Sequence, residues 1–150
     1  MTTTASQAPA ARTGSGTGQG AAGMVTVPHQ AAAEAGLVSR VLVDQAVWDD
    51  CVTWTEADTA RKGIALDEAT RRADVLYLAA CALKRDSAGG SAPGRPGALP
   101  FTVERVPRAT GGRAAQKVTL SVTAGRSPRG TVTVTIGPAR AAGRALGGAR

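Results

Sequence analysis

Residues 47–86 read VWDDCVTWTEADTARKGIALDEATRRADVLYLAACALKRD, a stretch that holds three of the chain's four aromatic residues, both cysteines and eight of its eleven acids. Apolar residues recur in it at spacings of three and four, the period of an amphipathic helix. Over 45–54, Val47, Trp48, Cys51 and Val52 share one side, joined by Trp54, while Asp49, Asp50 and Thr53 face water. After a polar connection around Gly63 the pattern returns over 66–84 through Leu66, Ala69, Ala73, Leu76, Tyr77, Ala80 and Leu83. Asp67 and Glu68 at the start of that segment and Lys84 and Arg85 at its end complement the helix dipole. The stretch predicts two main helices, with Trp48, Cys51, Trp54 and Tyr77 as core residues.

Working outward toward the N-terminus, Val41, Leu42 and Val43 form a short β-branched run followed by Asp44, a brief strand feeding a capped helix. Pro28 suits the first turn of a short helix over 29–34, with Gly36 as its stop. Residues 1–24 are Thr, Ser, Gly, Ala and Gln with almost no large apolar side chains, which predicts a disordered tail.

Toward the C-terminus, residues 87–97 (SAGGSAPGRPG) have the composition of a linker, and beyond them the period changes from 3.6 to 2. Phe101 and Val103 alternate with Thr102 and Glu104. Val118, Leu120 and Val122 alternate with Thr119, Ser121 and Thr123, and Val132, Val134 and Ile136 with Thr131, Thr133 and Thr135. Residues 124–130, with Gly125, Pro128 and Gly130, join the last two as a hairpin, and 139–150 form a flexible basic tail. Three half-buried strands need a cover and two helices need a surface. The expectation is therefore a single α+β domain over 25–138: two layers, two main helices on a three- to four-stranded antiparallel sheet.

The order VWDDCVTW (47–54), DEATRRADVLYLAACALKR (67–85), PFTVERVPR (100–108) and TVTVTIGP (131–138) resembles a family of small proteins encoded by actinobacteria and by their phages and plasmids. The resemblance covers about 31–138 and rests on the pairing of VWxDCVxW with DExxRxxDVLYLAA. It implies no activity, cofactor or catalytic residue, and it points toward an accessory protein of a mobile element.

No apolar run has the length of a secretory signal or of a membrane span, so a cytoplasmic protein without membrane contact is expected. Cys51 and Cys81 lack a CxxC partner, which argues against a zinc site or a disulfide scaffold and for buried free thiols. His29, the sole histidine, lies outside the patterned core, and no GxSxG elbow, P-loop or GxGxxG follows a strand. The acids Asp49, Asp50, Glu56, Asp58, Asp67 and Glu68 show no calcium-loop pattern; helix-start acids and a solvated face account for them. Asp67 with Arg71 and Glu68 with Arg72 are four apart and read as surface ion pairs. No catalytic, cofactor-binding or metal-ligating residue is assigned, and no cofactor is expected.

Net charge is +7, and it is unevenly divided: residues 87–150 carry ten basic groups against Glu104 alone. Arg105, Arg108, Arg113 and Lys117 sit along the connection between the first two of these strands, and Arg126 and Arg129 in the hairpin turn. These six are the candidate contacts to a partner or to phosphates. Phe101 is the only aromatic nearby, so a stacking platform for single strands is lacking. The reading is a small non-enzymatic interaction protein contacting a protein partner through its basic, strand-rich half. The alternatives are a nucleic-acid-binding module using the same cations and a metal-dependent hydrolase using the acids.

Overall fold

The structure, a computed structural model, describes residues 19–20, 23–89, 97–109 and 112–139. The strands are β1 (Gln19–Gly20), β2 (Met24–Thr26), β3 (Arg40–Asp44), β4 (Leu99–Arg105), β5 (Gln116–Arg126) and β6 (Val132–Pro138). The helices are α1 (His29–Glu34), α2 (Gln45–Cys51), α3 (Glu56–Lys62) and α4 (Glu68–Ala88). The class is α+β, as the change of period predicts.

Local chemistry explains several helix boundaries. Asp44 caps α2 by accepting from the Ala46 and Val47 N–H groups at 2.9 and 3.4 Å. Thr55 and Asp58 form a reciprocal capping box at the start of α3, and Asp67 caps α4 through Thr70. Helix α1 ends in a Schellman motif: Leu37 N–H reaches Ala32 O at 2.8 Å and Gly36 N–H reaches Ala33 O at 2.9 Å. Gly36 takes φ +85 there, a left-handed value that favours glycine.

The strands assemble in the order β1-β2-β3-β6-β5-β4. Neighbours are antiparallel except β3 and β6, which run parallel with Val41 opposite Val134 and Val43 opposite Ile136. The expected three- to four-stranded antiparallel sheet is thus corrected to a six-stranded mixed one. Its hairpin strands stand as read, but β3 joins them edgewise beside β6, and β2 extends the sheet by pairing Val25 with Val43. Gln19, Gly20 and Met24, read as tail, are strand residues, and Ser87 and Ala88, read as linker, are the last turn of α4. Of the tail and linker readings, 1–18, 21–22, 90–96 and 140–150 lie outside the described residues.

Alternation along the strands sends Val41, Val43, Phe101, Val103, Leu120, Val122, Val134 and Ile136 into the core. Val47, Cys51 and Val52, from α2 and its C-terminal end, close over that face with Val75, Leu76, Ala79, Ala80 and Ala82 from α4. Full burial of each large aliphatic side chain contributes roughly 1.5 to 3 kcal/mol. The opposite parity carries Thr102, Thr119, Ser121, Thr123, Thr133 and Thr135, all exposed or half-buried.

Among the described residues, four helices stand where two main helices and the short one over 29–34 are expected. One, α3, was read as a polar connection because its buried residues are Asp58 and Lys62 rather than aliphatics. The buried stripe of α4 also differs from its expected position. It keeps Leu76 and Ala80 but takes in Arg71, Val75, Ala79 and Ala82 in place of Ala69, Ala73 and Tyr77, which turns its centre by roughly 100°, or one residue. Tyr77, expected in the core, is consequently 61% exposed, and Arg71, expected in a surface pair, is only 9% exposed. Trp54 lies beyond the end of α2 but is buried, Cys51 is buried, and Trp48 packs against the core from its edge.

Candidate functional site

The densest polar chemistry surrounds α3, where the β4–β5 connection folds back onto the helices. Asp58 is 1% exposed, and its Oδ2 accepts from Thr55 N–H at 2.9 Å, Thr55 Oγ1–H at 2.9 Å and Arg108 Nε at 2.8 Å. Arg61, one turn on, donates to its other oxygen. The Thr55 backbone N–H above all, then the Thr55 hydroxyl and Arg108, hold this carboxyl down at about 2 against the opposing effect of burial. Lys62, also 1% exposed, donates from Nζ to Gly112 O at 2.9 Å. Both inward side chains of α3 therefore fasten the loop that follows β4.

A second knot joins α2, α4 and β4. Arg105 Nε donates to Asp50 Oδ2 at 2.7 Å. Arg71 Nε donates to Val52 O and its Nη2 to Asp50 O, both at 3.0 Å, while its guanidinium lies 5.1 Å from the centroid of the Trp54 ring. Trp54 N–H donates to Glu68 Oε1 at 2.7 Å and its indole N–H to Thr59 Oγ1 at 3.0 Å. Burial pushes the Cys51 thiol up to about 11, with Asp50 adding to the effect and Arg105 and Arg71 opposing it. At neutral pH it is a protonated core thiol, not a nucleophile. Cys81 is half-buried, and its hydrogen bond with Tyr77 raises the pKa of that phenol.

The six candidate cations do not gather into one patch. Arg105 and Arg108 are held by Asp50 and Asp58. Arg113 places its guanidinium 3.0 Å from the position a Cβ would take on Gly63, at the C-terminus of α3. Lys117 faces Glu104 at 3.9 Å on the exposed edge of the sheet. Arg126 and Arg129 are exposed at the other end of β5, about 30 Å from Lys117 at the rise of an extended strand. The acids are likewise dispersed: Asp58 and Asp67 cap helices, Asp50 pairs with Arg105, and Glu68 holds a backbone N–H. No group of three His, Cys, Asp or Glu among the described residues is placed to hold a metal ion.

Sequence reasoning did not single out a surface groove of about 550 Å³ where the α1–β3 loop, the C-terminal half of α4 and the β5–β6 hairpin meet. Leu37, Ala80, Leu83, Val132 and Val134 line it, and Val38, 83% exposed, stands at its lip. Only the isolated Val38, outside any apolar period, hinted at it. No helix among the described residues is long and apolar enough to cross a membrane. Comparison with protein-family models, curated proteins and solved structures finds no match to this chain.

Proposed function

We propose that this chain is a small non-enzymatic interaction protein that contacts a protein partner, an accessory factor of the kind encoded by actinobacterial phages and plasmids. The observation that carries the reading is the engagement of the charged and thiol side chains around α3. Asp50, Asp58, Lys62, Arg71, Arg105 and Arg108 all fix one part of the backbone to another, and Cys51 is buried and protonated. What remains outward is recognition surface: a hydroxyl-bearing sheet face and an apolar groove. The resemblance of VWDDCVTW and DEATRRADVLYLAA to the actinobacterial family supports the accessory role.

Affinity capture from an actinobacterial host lysate, with the full chain as bait and a heat-unfolded sample as control, tests this reading. Retention of one saturable partner by the folded bait alone is the expected result, and its absence rejects the reading.

Nucleic-acid binding is favoured by one observation, the exposed Arg126 and Arg129 at the hairpin end with Arg40 on the adjoining strand end. Three phosphate contacts give a log–log salt slope of about −3 in a mobility shift. Loss of that slope in an Arg126→Glu, Arg129→Glu double variant would favour this alternative.

A further inference from the structure

We infer that the groove between α4 and the β5–β6 hairpin is the docking site, and that its occupant is a short peptide segment of another protein carrying aliphatic and acidic side chains. The inference rests on the reading of the chain as an interaction protein and names the site and the partner's chemistry.

The groove is apolar along its floor and cationic at its rim. Residues 80, 83, 84, 87 and 88 of α4 all border it, successive positions on one helix stripe. From that stripe Lys84 reaches across the seam, its Nζ 3.6 Å from where a Cβ on Gly36 would lie. On the hairpin side Arg126 sits opposite Val132 and shares the helix-side parity of Leu120 and Val122, so it flanks the same opening. Arg129 follows in the exposed turn. The lining contains Lys84 and no acid; Arg85 and Asp86 lie off the stripe by the helical period. An aliphatic floor beside Val38 asks for an aliphatic insert, and cations at the rim ask for carboxylates.

No segment outside the described residues meets that demand. Every acid of the chain lies between Glu34 and Glu104, and the segments outside the described residues, 1–18, 21–22, 90–96, 110–111 and 140–150, contain none. A second copy docked through the same patch across a two-fold axis would oppose Lys84 and Arg126 to their own equivalents. A nucleic acid would satisfy the cations but leave Val38 and the aliphatic floor without a partner.

The test pans a displayed library of random dodecapeptides against the full chain and measures the enriched peptides by fluorescence anisotropy. Expected are peptides pairing Leu, Ile or Val with Asp or Glu, weakened about tenfold or more by Val38→Asp and by Lys84→Glu. Arg126→Glu serves as a second charge variant should Lys84→Glu lower the melting temperature. Three results overturn the groove: no enrichment, enriched peptides without acids, or affinity unchanged by Val38→Asp. Peptides lost instead on Thr135→Lys, on the open sheet face, would reject the groove while leaving the interaction reading intact. Displacement of the peptides by a single-stranded oligonucleotide, with oligonucleotide affinity insensitive to Val38→Asp, would likewise overturn the peptide assignment.

Discussion

The guanidinium of Arg71 serves two carbonyls that the C-terminal end of α2 leaves without intrahelical partners, those of Asp50 and Val52, and lies over the Trp54 ring. A planar fork makes both hydrogen bonds from one side chain; an ammonium on a flexible stem makes one of them at a time. Arg71→Lys, which keeps the charge, is therefore expected to cost roughly 1 to 3 kcal/mol, the penalty of a buried carbonyl left unsatisfied. Urea unfolding followed by Trp fluorescence measures it, and a change under half that range would show the fork is dispensable. Tyr77 makes the contrast, because most of its ring is in water. Tyr77→Ala is expected to shift stability by no more than about 0.5 kcal/mol in the same assay. A loss several times larger would return it to the core.

Among the elements, α3 depends most on its ends. The capping box of Thr55 and Asp58 starts it, and Gly63, at φ +68, stops it with its N–H on Thr59 O at 2.8 Å. A Cβ at Gly63 would both occupy the left-handed region and meet the Arg113 guanidinium. Gly63→Ala is thus expected to destabilise by about 1 to 2 kcal/mol, read from the shift of the urea midpoint. Gly63→Asn, which tolerates that φ better, should lose less, and equal losses would point to the Arg113 contact instead. This helix also marks where the sequence stops being legible. Strands β4 to β6 and helix α4 announce themselves because aliphatics repeat at 2 or at 3.6. The inner face of α3 is Asp58 and Lys62, so no apolar period exists to be read. On α4 the many alanines make several stripes equally apolar, and only packing against β4 and β5 selects the one that buries Arg71 and exposes Tyr77. The candidate site suffered for the same reason. Arg105 and Arg108 are recognisable as cations, but their carboxylate partners are about 50 positions away in α2 and α3.

At the scale of the whole molecule, the parallel joining of β3 to β6 ties the N-terminal third to the last strand. No local pattern encodes that pairing; it follows from tertiary packing over one common face. The titratable groups that folding shifts in turn set the pH range over which the assembly holds. Asp58 stands at about 2 in the folded chain against an ordinary 3.8, and Asp67 is lowered too, chiefly by the Thr70 N–H. The folded state binds these protons less tightly than the unfolded one. Their contribution is complete above about pH 4 and is lost as pH falls toward 2. Cys51 works at the other limit. Its thiol stands at about 11 against an ordinary 9.0, so the unfolded chain ionises first and stability declines as pH rises from 9 toward 11. Melting temperature should accordingly be flat between about pH 4 and 9 and fall on both sides. The two limbs have separate causes and can be removed separately. Cys51→Ala should flatten the decline between pH 9 and 10 while leaving the acid limb, and Asp58→Asn should shrink the acid limb while leaving the alkaline one. An alkaline limb that survives Cys51→Ala unchanged would mean that this thiol does not govern the upper limit, and that lysine or tyrosine ionisation does.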